Sequence, residues 1–198
     1  MCTHCSCVQP IARETDLFAV LGLPRRLAVD VEDLERRYHG ASRAVHPDRY
    51  QTAGARELEL SVAASAAANR AYRTLKDPVA RGRYWLELHG RRLGDGGPSV
   101  PPEIAAEVFE TQERLAELRA AGGGEAEALK REVRDLRAAF EERMSGLKDG
   151  LARQYEGPEP PSFDELQRRL SEIAYLRTLL GDMEDATEEG LRGTNNRH

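Results

Sequence analysis

Apolar residues along this chain recur at helical spacing. Between Glu14 and Gly22, Leu17, Phe18, Val20 and Leu21 follow Thr15 and Asp16, either of which can N-cap a short helix. Gly22 and Pro24 stop it. Asp30 opens a second helix, whose Val31, Leu34, Tyr38 and Val45 fall on one stripe. Glu32, Asp33 and Glu35 suit the positive end of its dipole. That helix cannot pass His46, because Pro47 lacks an N–H and pushes its predecessor out of the α region. The stretch 46–54 is therefore predicted as an exposed loop. A long helix is expected over about 55–76, with Leu58, Val62, Ala66, Asn69, Tyr72 and Leu75 facing inward. Pro78 starts a fourth helix that carries Tyr84, Trp85, Leu86 and Leu88, and Gly90 closes it.

The pattern then lapses. "RRLGDGGPSVPP", residues 91–102, is rich in glycine and proline and reads as a linker. Three amphipathic helices follow. Ile104, Val108, Leu115 and Leu118 line the first, and Leu129, Val133, Leu136, Phe140, Leu147 and Leu151 the second. In the third, which Ser162 can N-cap, Leu166, Leu170, Ile173, Leu176, Leu180 and Met183 form the stripe. Short breaks at "AAGGGEAE" and "EGPEPPS" make neighbours antiparallel. The expected architecture is all-α. A tail over 1–13 precedes a helical hairpin with flanking helices over 14–90. After the linker comes a three-helix bundle over 103–188, and 189–198 is expected to be a disordered tail.

Composition agrees with an all-helical chain. Hydrophobic residues make up 40% and aromatics only 6%, and no convincing run of alternating β-branched residues stands out. A net charge of -5 makes no whole-chain case for nucleic acid. No apolar run reaches membrane-spanning length and the start has no signal-peptide pattern, so the expected location is cytoplasmic. All three cysteines fall within the first seven residues, so no disulfide framework supports the fold.

The candidate chemistry sits at His46, Pro47 and Asp48. As an acid–base dyad it lacks a third group, and no serine or cysteine stands in a recognisable nucleophile context. As a metal site it could enlist His39, but nothing supplies a fourth ligand. As a docking tip it has support, because it lies between two amphipathic helices with Arg36, Arg37, Arg43 and Arg49 around it.

These features carry a resemblance. "DLFAVLGLP", the basic second helix, "HPD" at 46–48 and "NRAYRTLKDPVARGRYWLELHG" resemble the J-domain, the module that docks on DnaK-type chaperone ATPases. The last string, with the linker and bundle behind it, is similar to the HscB family, J-domain co-chaperones of iron–sulfur cluster assembly. The resemblance implies that Asp48 contacts an arginine of the chaperone, a pairing that can be bidentate. It implies that Pro47 fixes the loop and His46 packs and bonds at the contact. Arg36, Arg37, Arg43 and Arg49 would supply a positive field that sets encounter rate and register. Docking would shift a DnaK- or HscA-type chaperone toward hydrolysis, so the chain itself would not be an enzyme.

The first bundle helix has an odd aromatic. Phe109 lies one residue past Val108 and so points about 100° away from it. Small Ala105 and Ala106 lie a turn earlier, and Glu110, Glu113 and Glu117 flank it. Periodicity leaves two readings open, a protein-binding spot or sideways packing on a neighbouring helix. The HscB resemblance implies the first, with Ala105, Ala106, Phe109, Glu110, Glu113, Glu117 and Tyr175 holding an IscU-like scaffold. Ala105 and Ala106 depart from the family, which commonly has larger apolar residues there. Less apolar area means weaker anchoring unless Phe109 compensates.

No cofactor is required by this reading. Cys2, Cys5 and Cys7 form C-x-x-C-x-C and are candidate zinc ligands, three of the four that a structural site takes. "CTHCSCVQP" resembles the second of two cysteine pairs that some HscB relatives carry. The first pair is missing, so either the reading frame begins earlier or the site has been lost. Three rival functions remain: a J-domain protein with a different client, a nucleic-acid module using the arginines, and a small hydrolase at His46. The second predicts steeply salt-sensitive binding, and the third predicts turnover without any chaperone.

Overall fold

A computed structural model describes residues 15–93, 102–157 and 159–195, without the side chains of 102, 103 and 188–195. The cysteine-bearing tail and most of the linker lie outside them. Seven α-helices and no strand are found among the described residues: α1 (Leu17–Val20), α2 (Val31–Ala44), α3 (Ala55–Lys76), α4 (Pro78–Leu88), α5 (Pro102–Ala120), α6 (Gly123–Tyr155) and α7 (Phe163–Asn195). They fall into two compact units.

The first unit comprises residues 1–90 together with 154–160. Its helices begin where capping residues stand. Asp16 accepts from the Phe18 N–H, Asp30 from Glu32 and Asp33, and Asp77 from Ala80. The core gathers Leu17, Phe18, Leu21, Val29, Leu34, Ala68, Ala71 and Leu75, with Tyr84 and Trp85 packed against it. α2 and α3 form the hairpin. Tyr38 stacks on Tyr72 with ring centroids 4.2 Å apart, and its hydroxyl donates to Asn69 Oδ1 at 2.7 Å. Gly22 has φ of +64°, and a Cβ there would lie 3.2 Å from Arg37 Nη1.

The inward face of α3 differs from expectation. Ser61, Ala64, Ala68, Ala71 and Leu75 are buried, whereas Val62 is 52% exposed. Small residues let the backbones approach closely, and that gain outweighs burying one valine. Val31, at the first turn of α2, is also exposed.

Asp16 also ties the ends of this unit together. It accepts from the Tyr84 hydroxyl and from Arg25 Nε, each at 2.8 Å. Burial alone would raise its pKa, but these bonds and the Phe18 N–H hold it below the usual carboxylate range. Glu35 is lowered by bonds from Lys76 and Tyr72, and Glu165 in the second unit by Arg168 and Arg169. A lowered folded pKa means that protonation favours the unfolded chain. The stability these groups add is fully present above about pH 5, beyond their ordinary unfolded values, and is lost as pH falls through their folded values. The thermal midpoint should therefore be nearly level from pH 7 to 5 and drop below pH 4. Asp16→Asn should flatten part of that drop, as calorimetry across the range would read.

The second unit comprises 91–153 and 161–198. Arg91 and Arg92 belong to it rather than to a free linker. Arg91 pairs with Asp164 at 2.6 Å, and the Arg92 carbonyl accepts from Gln167 at 3.3 Å. Leu115, Leu118, Val133, Phe140, Leu176, Leu179 and Met183 are among the residues of its core. Ile104, Leu166, Leu170 and Ile173 are fully buried as well. Leu136, expected inside, is 39% exposed. Arg143 joins the three helices by pairing with Glu107 on α5 at 2.5 Å and Glu172 on α7 at 2.7 Å. Glu172 is buried, and a buried carboxylate persists when its charge is paired. α7 runs on to Asn195, into the stretch expected to be a disordered tail. That stretch has no proline to block continuation of the helix.

Candidate functional site

α2 ends at a proline, so its last carbonyls need donors from elsewhere. The fold supplies them from side chains. The Arg43 carbonyl accepts from Arg49 Nη1 at 3.2 Å and the Ala44 carbonyl from the Tyr50 hydroxyl at 3.1 Å. The Val45 carbonyl accepts from Ser61 at 2.7 Å and Ser65 at 3.0 Å. Val45 and Ala64 form a small apolar seat with Tyr50 and Leu60 packed against it. On this base Pro47–Tyr50 makes one 3-10 turn, so the expected loop is ordered.

The tip points outward. The Asp48 side chain is 73% exposed and that of His46 53%. His46 Nδ1 accepts from the Asp48 N–H at 3.3 Å, which leaves Nε2 to carry the proton toward solvent in the neutral ring. Gln51 Nε2 donates to Asp48 Oδ1 at 3.3 Å. His46 Nδ1 also lies 3.4 Å from Asp48 Oδ2, and no further side-chain partner of either residue is found among the described residues. Among the described residues no serine, threonine or cysteine side chain bonds either His46 or Asp48.

The arginines divide. Arg36 pairs with Asp33, and Arg37 pairs with Asp33 at 2.7 Å while donating to the Gly22 carbonyl at 2.6 Å. Arg37 thus pins the turn after α1, and Arg49 caps α2. Arg43 has no partner of its own side chain among the described residues and stands exposed one turn before the tip. Sequence reading treated all four as one field and missed Ser61, Ser65 and Tyr50 as the residues that hold the loop. The available signal was two serines four residues apart on α3, which share a helix face.

Losing both hydroxyls would leave the Val45 carbonyl without a donor. Ser61→Ala/Ser65→Ala should cost about 1–3 kcal/mol of unfolding free energy in urea. Ser61→Ala alone should cost about 1 kcal/mol or less, because Ser65 still donates.

The second surface lies on α5. Ala105, Ala106, Phe109, Glu110, Glu113 and Glu117 are all exposed, and Phe109 is 64% so. Ile104, Thr111, Leu115 and Leu118 take the opposite, buried face. Sideways packing of Phe109 is thereby ruled out. Tyr175 is half-buried on α7. Gln112 bonds Asp182 at 2.7 Å, and Glu107 reaches Glu172 through Arg143. These two links tie α5 to α7 on either side of Phe109 and of Tyr175 in sequence.

Cys2, Cys5 and Cys7 lie outside the described residues. Among the described residues no group of three or more His, Cys, Asp or Glu could hold a metal ion. No described helix is long and apolar enough to cross a membrane.

No protein-family model matches the chain. Known proteins do. The chain is 33% identical over 176 residues to the "Co-chaperone protein HscB homolog" of Azoarcus sp., covering 88% of this chain and 97% of that protein. It is 36% identical over 135 residues to the HscB homolog of Bordetella petrii, covering 68% and 79%. The mouse "Iron-sulfur cluster co-chaperone protein HscB" is 35% identical over 59% of this chain and 50% of its own length. The crystal structure of human co-chaperone protein HscB superposes with a TM-score of 0.67 at 25% identity, covering 92% of this chain and 87% of that one. HscB from Vibrio cholerae, at 24% identity and a TM-score of 0.54, shares the fold.

Proposed function

The chain belongs to the HscB family of co-chaperones, and from that membership we propose a division of labour between its two units. The first unit docks on a DnaK- or HscA-type chaperone in the cytoplasm and stimulates its ATPase. The second holds an IscU-like iron–sulfur scaffold and delivers it, in the service of cluster assembly. The chain does no bond chemistry itself.

One observation carries the reading. The Asp48 carboxylate is 73% exposed at a tip whose supporting carbonyls are all bonded from below. Such a carboxylate is open to a guanidinium, whose bidentate geometry can repay the cost of desolvating it, and it stands on an ordered turn, which favours a geometrically strict contact. Pro47 restricts the backbone at the tip. Arg43 leaves positive charge beside the tip, which speeds encounter with an acidic surface. In the second unit, Phe109 offers an aromatic anchor with acids around it, the composition of a protein-binding centre.

Steady-state ATP hydrolysis by the chaperone, measured with this protein and then with the scaffold added, tests the whole. Each addition should raise the rate. A scaffold that neither binds the chain nor raises the rate reached with the chain alone would point instead to a J-domain protein with a different client.

A further inference from the structure

The acidic stripe of α5 does not end at its own helix. Glu110 also lines a groove of about 760 Å³ between α5 and α6, with Leu136, Ala139 and Phe140 among its apolar lining. Glu117 lines a neighbouring hollow, and the two share Arg114 and Glu132. The seam is thus a trough of two hollows, with the Arg114–Glu132 ion pair, 3.5 Å across, standing where they meet.

Its charges are mostly spent internally. Arg143 is matched by Glu107 and Glu172, and Arg114 by Glu117 and Glu132. Glu110 and Asp135 are exposed and have no ion-pair partner among the described residues. Between them Leu136, 39% exposed, offers a bulky apolar side chain on a solvent-facing edge. Unpaired acids beside an exposed leucine are complementary to a segment bearing a cation and an apolar residue.

We propose that this trough is the second half of the client surface, taking a basic segment of the scaffold that carries one bulky apolar side chain. This rests on the scaffold reading given above. Phe109 would anchor one side of α5, and Leu136 with Asp135 the other, so that the client grips the helix from both flanks. Asp135 and Leu136 were no part of the surface expected on α5 and α7.

Scaffold affinity, measured calorimetrically for Asp135→Lys, Leu136→Glu and Phe109→Ala in the full chain, separates the two ideas. Both groove substitutions should weaken binding by about tenfold or more. Asp135→Lys should also flatten the dependence on salt. Asp135 is exposed, so its variant remains informative if Leu136→Glu fails to fold. Should Phe109→Ala weaken binding while Asp135→Lys stays within twofold of wild type, the groove proposal falls and the scaffold reading stands. A scaffold that does not bind the wild-type chain overturns both. A wild-type dimer that Leu136→Glu dissociates, with scaffold affinity unchanged, would assign the trough to a second copy and overturn the proposal.

Discussion

Asp48→Asn should remove nearly all stimulation of the chaperone ATPase while leaving the fold intact. The substitution keeps the shape of the side chain and deletes its charge. Truncating one partner of a hydrogen-bonded charge pair across an interface costs about 2–5 kcal/mol, a loss of roughly thirtyfold or more. The fold should not notice. Asp48 lies in no core, and its side chain bonds only Gln51 and sits 3.4 Å from His46. Thermal midpoint and helical content should match wild type within the effect of a surface substitution, about 0.5 kcal/mol. His46→Gln tests the neighbouring role, since a glutamine retains a polar group but not the ring. Stimulation by His46→Gln equal to wild type would refute the docking mechanism. Unchanged scaffold binding by both variants would locate the defect in the first unit.

Phe109→Ala should weaken scaffold binding by roughly ten- to a hundredfold. Burying a phenylalanine contributes about 1.5–3 kcal/mol, and each 1.4 kcal/mol is a factor of ten. Phe109 starts 64% exposed, so most of that area remains available to a partner. Ala105 and Ala106 add little apolar area, which concentrates the anchor on this one ring. The variant should fold as wild type, because the buried face of α5 is built from Ile104, Thr111, Leu115 and Leu118. Basal stimulation of the chaperone without scaffold should also survive, while the additional increment from scaffold disappears at limiting concentrations. Unaltered scaffold affinity, read by calorimetry, would remove α5 from the client surface.

Together the two variants dissect the chain. Asp48→Asn leaves a protein that holds its client and cannot hand it over. Phe109→Ala leaves one that activates the chaperone and brings little to it. A J-domain protein with a different client predicts the first phenotype and not the second, which makes Phe109 the more discriminating position.

Much of this was legible in the sequence. Asp16, Asp30 and Ser162 each bond a backbone N–H two or three residues on, so these helices start where their caps stand. Pro47 ends α2 by sterics confined to adjacent residues. The α7 stripe from Leu166 to Met183 is large, apolar and strictly periodic, and every member lies inside. The outward place of Phe109 was half legible, since spacing turned it off the stripe without saying what lay beside it.

The tertiary structure alone decided the rest. Val45 meets Ser61 across sixteen residues, Arg37 meets Gly22 across fifteen, and Tyr84 meets Asp16 across sixty-eight. Such bonds depend on how closely helices approach, and no local pattern encodes that distance. The register of α3 shows the reason most plainly. Its serines and alanines look like weak core candidates beside Val62, yet small side chains allow the close approach that brings Ser61 to the Val45 carbonyl. Local chemistry determined where the helices and the exposed tip would be. Packing determined which residues hold that tip in shape, which arginines are already engaged at home, and that a trough would open between α5 and α6.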